Sequence, residues 1–303
     1  MSVLTFSSTV TFHTPVLLQE VVSLLPEVTD GWTIDATAGG GGHTRELLRT
    51  GRKVLAIDQD AEAITELQRT FATELERKQL IIAHDNFAHL TSILKAHSVQ
   101  PVSALLFDLG LSTFQIKQSG RGFSFQSDEQ LDMRMDSSMP ESAKDLLKHI
   151  AKIELTGILQ RFGEERLAEQ IAEKVVETRR QKAIETTEEL VKLINEVYEE
   201  ARVHSLVSPA TKTFQALRIF INDELNALRS ALPQAFEIVE PNGRILVISF
   251  HSLEDRIVKQ YFQSQAALGK ARIVTKKPVV ATDAEINNNR SARSAKLRVL
   301  TKL

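Results

Sequence analysis

Short, unbroken apolar runs alternate with amphipathic stretches along the first hundred residues of the chain. Residues 33–36, 53–58, 80–84 and 103–108 read as strands, with helices predicted from His43 to Arg49 and from Ala61 to about Glu76. Continuous apolar strands separated by helices mark a parallel sheet buried on both faces. Right-handed crossovers would gather the polar ends of these strands on one sheet edge. Three of the strands contain or end in an acid: Asp35, Asp58 and Asp108.

From about residue 141 the alternation gives way to consecutive helices. Thr186 and Glu189 form a capping-box pattern ahead of a stripe at Leu190, Leu193, Ile194, Val197 and Tyr198. Leu167, Ala168, Ile171, Ala172, Val175 and Val176 make a second stripe, and Phe214, Leu217, Ile221, Leu225, Leu228 and Leu232 predict a single long helix. A buried strand returns at 243–250, a helix starts near Ser252, and β-like runs close the chain at 273–275 and 296–300. The pattern predicts a doubly wound sheet domain from residues 1–135 and 214–303, interrupted by an all-helical insertion over 136–213. Two domains in series would leave the strand at 244–250 without backbone partners.

Composition narrows the class. With 42% hydrophobic and 25% charged residues, global disorder and collagen-like structure are excluded. The absence of cysteine removes disulfides, thiolate metal sites and thiol nucleophiles. No leader-like or membrane-spanning run is evident, so a cytoplasmic location is expected. The net charge of −2 argues at first against a nucleic-acid partner, yet residues 268–303 alone carry +7 and the remainder −9. A basic surface of that kind can meet phosphates on an acidic protein. Lys276, Lys277, Arg290 and Arg293 are its candidate contacts.

The candidate chemistry centres on Gly39, Gly40, Gly41 and Gly42, between the first strand and the first helix. Glycines there admit positive φ and let backbone N–H groups approach a ligand. Asp58, at the end of the second strand, is the acid expected to take ribose hydroxyls, whereas Asp60 directly precedes a helix and reads as its N-cap. The loop lacks the spaced glycine fingerprint of dinucleotide sites. Asp35 would repel a pyrophosphate but suit a cationic amino or sulfonium group, which favours S-adenosylmethionine over NAD.

Further strings then fall in order along nearly the whole chain: His13–Leu18, Gly39–Thr44, Asp108–Ser112, Arg121–Phe125, Leu131–Asp136, Phe162–Arg166, Thr213–Ile219, Ile248–Lys259 and Ser291–Arg298. Together they resemble the bacterial family of 16S ribosomal RNA cytosine-N4 methyltransferases. The resemblance implies a class I S-adenosylmethionine-dependent methyltransferase fold, Rossmann-like with a mostly parallel sheet and an inserted helical domain. It implies methyl transfer to N4 of a cytidine in the decoding region of 16S ribosomal RNA, within the small ribosomal subunit. It also assigns cofactor contacts to Gly41, Gly42, His43, Asp58, Phe87, Asp108 and Gln115. Asp108 is in addition a candidate for direct contact with the amine that is methylated, or a structural cap. Two departures stand out. Thr113-Phe114 replaces the family's Ser-Pro before Gln115, which predicts a looser loop, and Ser208 stands where the family has histidine.

Other residues carry two readings each. His251 and Ser252 follow the fifth strand and either contact the target nucleotide or cap the next helix, Ser252 with Asp255. Arg121, Arg134 and Arg218 either touch RNA phosphates or are salt-bridged, and Asn222 and Asp223 are candidates to line the cleft. The eight histidines show no ligand-like clustering with carboxylates, so no metal site is expected. The rival functions are a DNA amino-methyltransferase, disfavoured because Leu109-Gly110-Leu111 replaces a Pro-Pro-Tyr motif, a non-catalytic RNA-binding assembly factor, and a dehydrogenase.

Overall fold

The computed structural model describes residues 15–27, 30–204 and 208–303; His13 and Thr14 of the first motif lie outside the described residues. Seven strands form one sheet: β1 (Trp32–Asp35), β2 (Lys53–Asp58), β3 (Leu80–His84), β4 (Val102–Asp108), β5 (Val239–Ser249), β6 (Ala271–Ile273) and β7 (Lys296–Lys302). Their order is β3-β2-β1-β4-β5-β7-β6. The first five pair in parallel, while β7 runs antiparallel to β5 and β6 antiparallel to β7. Strands β2 and β3 match the predicted runs at both ends. The strand predicted at 243–250 begins earlier, at Val239, and stops before Phe250.

Alternate residues of the central strands feed opposite faces of the sheet, as the two-residue period requires. Leu55, Ile57, Leu105 and Phe107 pack in one apolar layer; Val54, Ala56, Ala104 and Leu106 pack in the other. The helices that cover the sheet are α1 (Leu18–Ser23), α2 (Gly42–Arg49), α3 (Ala61–Thr70), α4 (Ala72–Glu76) and α5 (Leu90–His97) from the first half. A short α6 (Thr113–Lys117) follows β4. The single helix predicted over 61–76 is broken at Phe71, whose backbone leaves helical angles at φ −114° and ψ 30°. Its buried ring lies under the Arg45 guanidinium, 5.6 Å from the ring centre.

Between β4 and β5 come α7 (Ala143–His149), α8 (Lys152–Gly163), α9 (Ala168–Arg179), α10 (Thr187–Glu200), α11 (Ala210–Ile221) and α12 (Glu224–Ile238). Thr186 caps α10 with Glu189 in the capping box that the sequence predicts. A third apolar cluster gathers residues from Phe123 to Ile221, so it draws in residues on both sides of the expected 136–213 insertion. The long helix predicted through Phe214 to Leu232 is also broken. Asp223 adopts φ +49°, ending α11 and starting α12 in a new direction. Phe214, Leu217 and Ile221 therefore belong to the helical cluster, whereas Leu228 and Leu232 pack against the sheet. One hydrophobic stripe serves two cores.

After β5, α13 (Ser252–Ala267) returns along the sheet, and α14 (Asp283–Asn288) precedes β7. Among the described residues, no helix is long and apolar enough to cross a membrane. Because β1 lies between β2 and β4, the crossovers on its two sides diverge and open a crevice beyond the carboxyl ends of the strands. The chemistry collects there.

Candidate active site

The cleft at this switch point holds about 990 Å³ and takes its walls from the ends of β1, β2 and β4 and from α12 and the start of α13. Gly39, Gly40, Gly42, His43, Asp58, Phe87, Asp108 and Gln115 all line it. The loop is tied down at its start, where the Gly39 N–H donates to Asp58 Oδ2 at 2.7 Å, the Asp60 N–H filling Oδ1 at 2.9 Å. Burial pushes the Asp58 carboxyl up to about 6, against the two backbone hydrogen bonds that pull it down.

Gly41 behaves differently from its neighbours. At φ +78° it is left-handed, and an added Cβ would stand 2.5 Å from the Phe71 ring rather than in the cleft. Its conformational freedom serves the packing of α2 on α3. Asp35 is also not part of the cleft wall. It is fully buried behind the loop, accepting from Thr44 Oγ1 at 2.7 Å and from the Thr37 N–H at 3.4 Å. Burial raises its carboxyl, with the His43 charge and the Thr44 bond opposing. The expectation that Asp35 faces a ligand's positive charge is thus corrected: the strand end turns its side chain toward α2.

Asp108, by contrast, lines the cleft. Its backbone N–H donates to Thr37 Oγ1 at 2.6 Å, and its Oδ2 lies 3.4 Å from His43 Nδ1. His43 is buried, with Nε2 3.1 Å from the Val16 carbonyl. A carbonyl only accepts, so Nε2 carries a proton and Nδ1 is left to face the carboxylate. Burial alone would push the imidazole down; the Asp108 bond and charge, helped by the Asp35 charge, raise it instead. Asp108 Oδ1, buried, has no hydrogen-bond partner among the described residues.

Phe87 opens a short 3-10 turn and meets Phe107 edge-on, ring centres 5.5 Å apart. Gln115 is held more firmly than the loss of the proline predicts. Ser112 and Gln115 form a capping box on α6, and Gln115 Nε2 donates to Asp60 Oδ2 at 2.8 Å. Asp60 caps α3, accepting from the Glu62 N–H at 3.1 Å, as the sequence predicts, and also anchors Gln115 and Arg121.

The arginines prove to be internally paired. Arg121 binds Asp60 and the carbonyls of Arg134 and Met135; Arg134 forks onto Asp132; Arg218 forks onto Glu224 at 2.7 and 2.9 Å. On the helical side of the cleft, Asn222 accepts from the Met135 N–H at 2.7 Å and donates to the Met133 carbonyl at 2.8 Å. Asp223 is not among the lining residues. The cap of α13 falls one residue earlier than predicted: His251 is the N-cap and Glu254 its reciprocal partner. Glu254 accepts from the Phe250 and His251 N–H groups at 2.8 and 3.2 Å. Burial alone would raise its carboxyl, but His251 and Arg218 hold it below the usual range.

Sequence reasoning missed Glu224, Glu254, Asn86, Met135 and Phe250 as cleft residues. It also missed that Glu224, His251 and Glu254 bring ligand-capable atoms within 4.8 Å of one another. These acids already accept from Arg218 and from backbone N–H groups, which accounts for their burial without a further partner.

A glycine loop tied to a second-strand acid, at the switch point of a parallel sheet closed by a reversed β7, defines a class I S-adenosylmethionine-dependent methyltransferase. The residues present fit that methyl donor: Asp58 faces the cleft as an acceptor, Phe87 offers an aromatic face, and Asp108 offers a buried carboxylate oxygen with no partner among the described residues. The profile of the MraW methylase family matches residues 10–303. A ribosomal RNA small subunit methyltransferase H of Persephonella marina is 41% identical over 293 residues, spanning 96% of this chain and 99% of its own. Proteins of the same name from Lactobacillus delbrueckii subsp. bulgaricus and Oenococcus oeni are 41% and 40% identical, each over 96% of this chain and over 99% and 98% of theirs. The chain belongs to the MraW methylase family.

Proposed function

We propose that this protein transfers a methyl group from S-adenosylmethionine to N4 of a cytidine in the decoding region of 16S ribosomal RNA, acting in the cytoplasm on the small ribosomal subunit. The relatives named for ribosomal RNA methylation support the substrate class. The observation that carries the chemistry is the unpartnered Oδ1 of Asp108, held at the centre of the cleft by His43 and Thr37.

When bound, S-adenosylmethionine supplies a methyl group on positively charged sulfur. Asp58 would hold the ribose, Phe87 the adenine face, and Gly39, Gly40 and Gly42 leave room for the backbone to approach. Gln115, locked to Asp60, closes the wall beside α6. His43 fixes the Asp108 carboxylate, so that Oδ1 presents an acceptor toward an amine or ammonium group without reorganising. Cytosine's exocyclic amine is a poor nucleophile because its lone pair is shared with the ring. An acceptor that aligns its N–H group and draws it toward tetrahedral geometry contributes several kcal/mol through positioning. The opposite wall comes from Asn222, at the end of α11, and from Met135, whose N–H donates to it, both beside the expected 136–213 insertion.

The experiment is mass spectrometry of 16S ribosomal RNA from cells with and without this protein. N4-methylcytidine derivatives should disappear and return on complementation; methylation of DNA by the purified protein would overturn the reading. Asp108→Asn then separates the two roles of that acid. A rise in KM for S-adenosylmethionine marks cofactor contact, whereas a fall in kcat of about 100-fold or more with KM unchanged marks contact with the amine.

A further inference from the structure

Beyond α12 lies a second concavity that the cleft does not explain. Its walls come from α8, α12 and α13. The two hollows use different residues of α12: Glu224, Ala227 and Leu228 face the cleft, and Leu225, Asn226, Arg229 and Leu232 face this groove. Its floor is apolar, with Phe162, Leu253, Ile257 and Tyr261, and its polar lining includes Arg161, Arg229 and Arg256. No carboxylate is among the described residues that line it.

The three guanidinium groups are exposed and lightly engaged. Arg161 donates to the Gly157 carbonyl at 3.2 Å and lies 5.4 Å over the Phe162 ring. Arg229 donates to Asn226 Oδ1 at 3.1 Å. Arg256 reaches Glu164 at 3.3 Å, an ion pair of two exposed groups that contributes little to stability. This contrasts with Arg121, Arg134 and Arg218, whose carboxylate partners leave them little to offer a ligand. Phe162, in the groove lining, has its ring centre 6.4 Å from that of the exposed Phe220 on the adjoining α11, so an aromatic pair borders the groove.

We propose that this groove binds a single-stranded RNA segment flanking the nucleotide that enters the cleft. Exposed, lightly engaged guanidinium forks match phosphate oxygens, and aromatic faces beside them stack unpaired bases irrespective of sequence. A groove without carboxylates and with three cations favours a polyanion over a protein surface. Arg161 comes from the helical unit and Arg229 and Arg256 from helices against the sheet, so bound RNA bridges the two. The inference rests on the ribosomal RNA reading above and assigns that substrate a path on the protein. It competes with the carboxyl-terminal basic surface, where Lys276, Lys277, Arg290 and Arg293 are exposed and make no ion pair among the described residues.

Fluorescence anisotropy with a labelled single-stranded RNA carrying the target cytidine tests it, on the full chain, across a salt series. Arg161→Gln, Arg229→Gln and Arg256→Gln combined should weaken binding by about tenfold or more and lower the log–log salt slope by about 2, at roughly 0.7 per lost phosphate contact. Phe220→Ser should weaken binding with the slope unchanged, because stacking releases no counterions. S-adenosylmethionine affinity, measured by calorimetry, should stay at the wild-type value in both variants and so reports folding. Wild-type RNA affinity and slope in the triple variant would overturn the proposal. Should the quadruple glutamine variant at Lys276, Lys277, Arg290 and Arg293 alone lose binding, the RNA path is the carboxyl-terminal surface instead. RNA that neither binds to nor is methylated by the wild-type protein would overturn the ribosomal RNA reading itself, and this inference with it.

Discussion

Replacing Gly41 by alanine should destabilise the protein through its contact with α3, and the size of the effect can be worked from the structure. Two costs add at this position. The backbone has φ +78°, where a side chain costs about 1–2 kcal/mol. The new Cβ would also stand 2.5 Å from Phe71 Cε2 and 2.9 Å from Leu67 Cδ2, both in buried side chains that cannot swing away. Overpacking of that kind costs about 1–3 kcal/mol, for a total of about 2–5 kcal/mol. Gly51 provides the control, with φ +85° and nothing within 4 Å of its would-be Cβ. Gly51→Ala should therefore cost only the backbone part. In differential scanning calorimetry, at about 2 °C per kcal/mol for a chain of this size, Gly51→Ala should lower Tm by about 2–4 °C and Gly41→Ala by about 4–10 °C. Phe71→Leu in the Gly41→Ala background should recover part of the difference as a coupling of about 0.5–3 kcal/mol. Equal shifts for the two alanine variants, or strict additivity of Gly41→Ala with Phe71→Leu, would show that no steric contact with Phe71 limits this position.

Two further expectations follow from the buried polar groups. Asp58 has its carboxyl raised to about 6, so its contribution to stability is fully present below its unfolded value of 3.8 and is lost as pH rises through about 6. Ribose hydroxyls need the ionised form, so S-adenosylmethionine affinity in calorimetric titration should run the other way, about tenfold weaker at pH 5 than at pH 7. A flat profile in the wild type, or an unchanged slope in Asp58→Asn, would contradict this. Asn222→Ala removes three hydrogen bonds at the break between α11 and α12 and strands the Met135 N–H and Met133 carbonyl. It should cost about 2–4 kcal/mol in urea unfolding, and wild-type stability would refute the role given to that amide.

Much of the sheet is legible in the chain because its strands are buried on both faces. Val54, Leu55, Ala56 and Ile57 are all fully buried, and an unbroken apolar run is the only pattern such a strand can carry. The break at Asn222 and Asp223 is not legible for the complementary reason. Apolar period reports that a face is covered, not by which core, and the stripe from Phe214 to Leu232 continues across the turn between two of them. In the candidate site, Gly42, His43, Asp58, Phe87, Asp108 and Gln115 come together on one cleft because all follow strands that end at the same sheet edge. Gly41 and Asp35 sit at the same edge yet face α3 and α2. Which way a loop residue turns depends on neighbours that local pattern does not name.

The net charge follows the same division. The chain alone shows an acidic body and a basic carboxyl-terminal segment. Folding spends part of that basic charge: Arg298 and Lys296 reach Asp255, and Lys302 donates to the carbonyls of Glu237 and Val239. It leaves Arg161, Arg229 and Arg256 around a groove that no stretch of sequence announces. The chain alone announces the central strands, the edge where the acids gather and the glycine loop, since periodicity and turn chemistry act between near neighbours. Packing alone selects the acid that meets His43, the arginines that are tied to buried carboxylates and those left exposed around the groove. His43 and Asp108, like Arg121 and Asp60, are far apart in the chain, and packing brings them within reach.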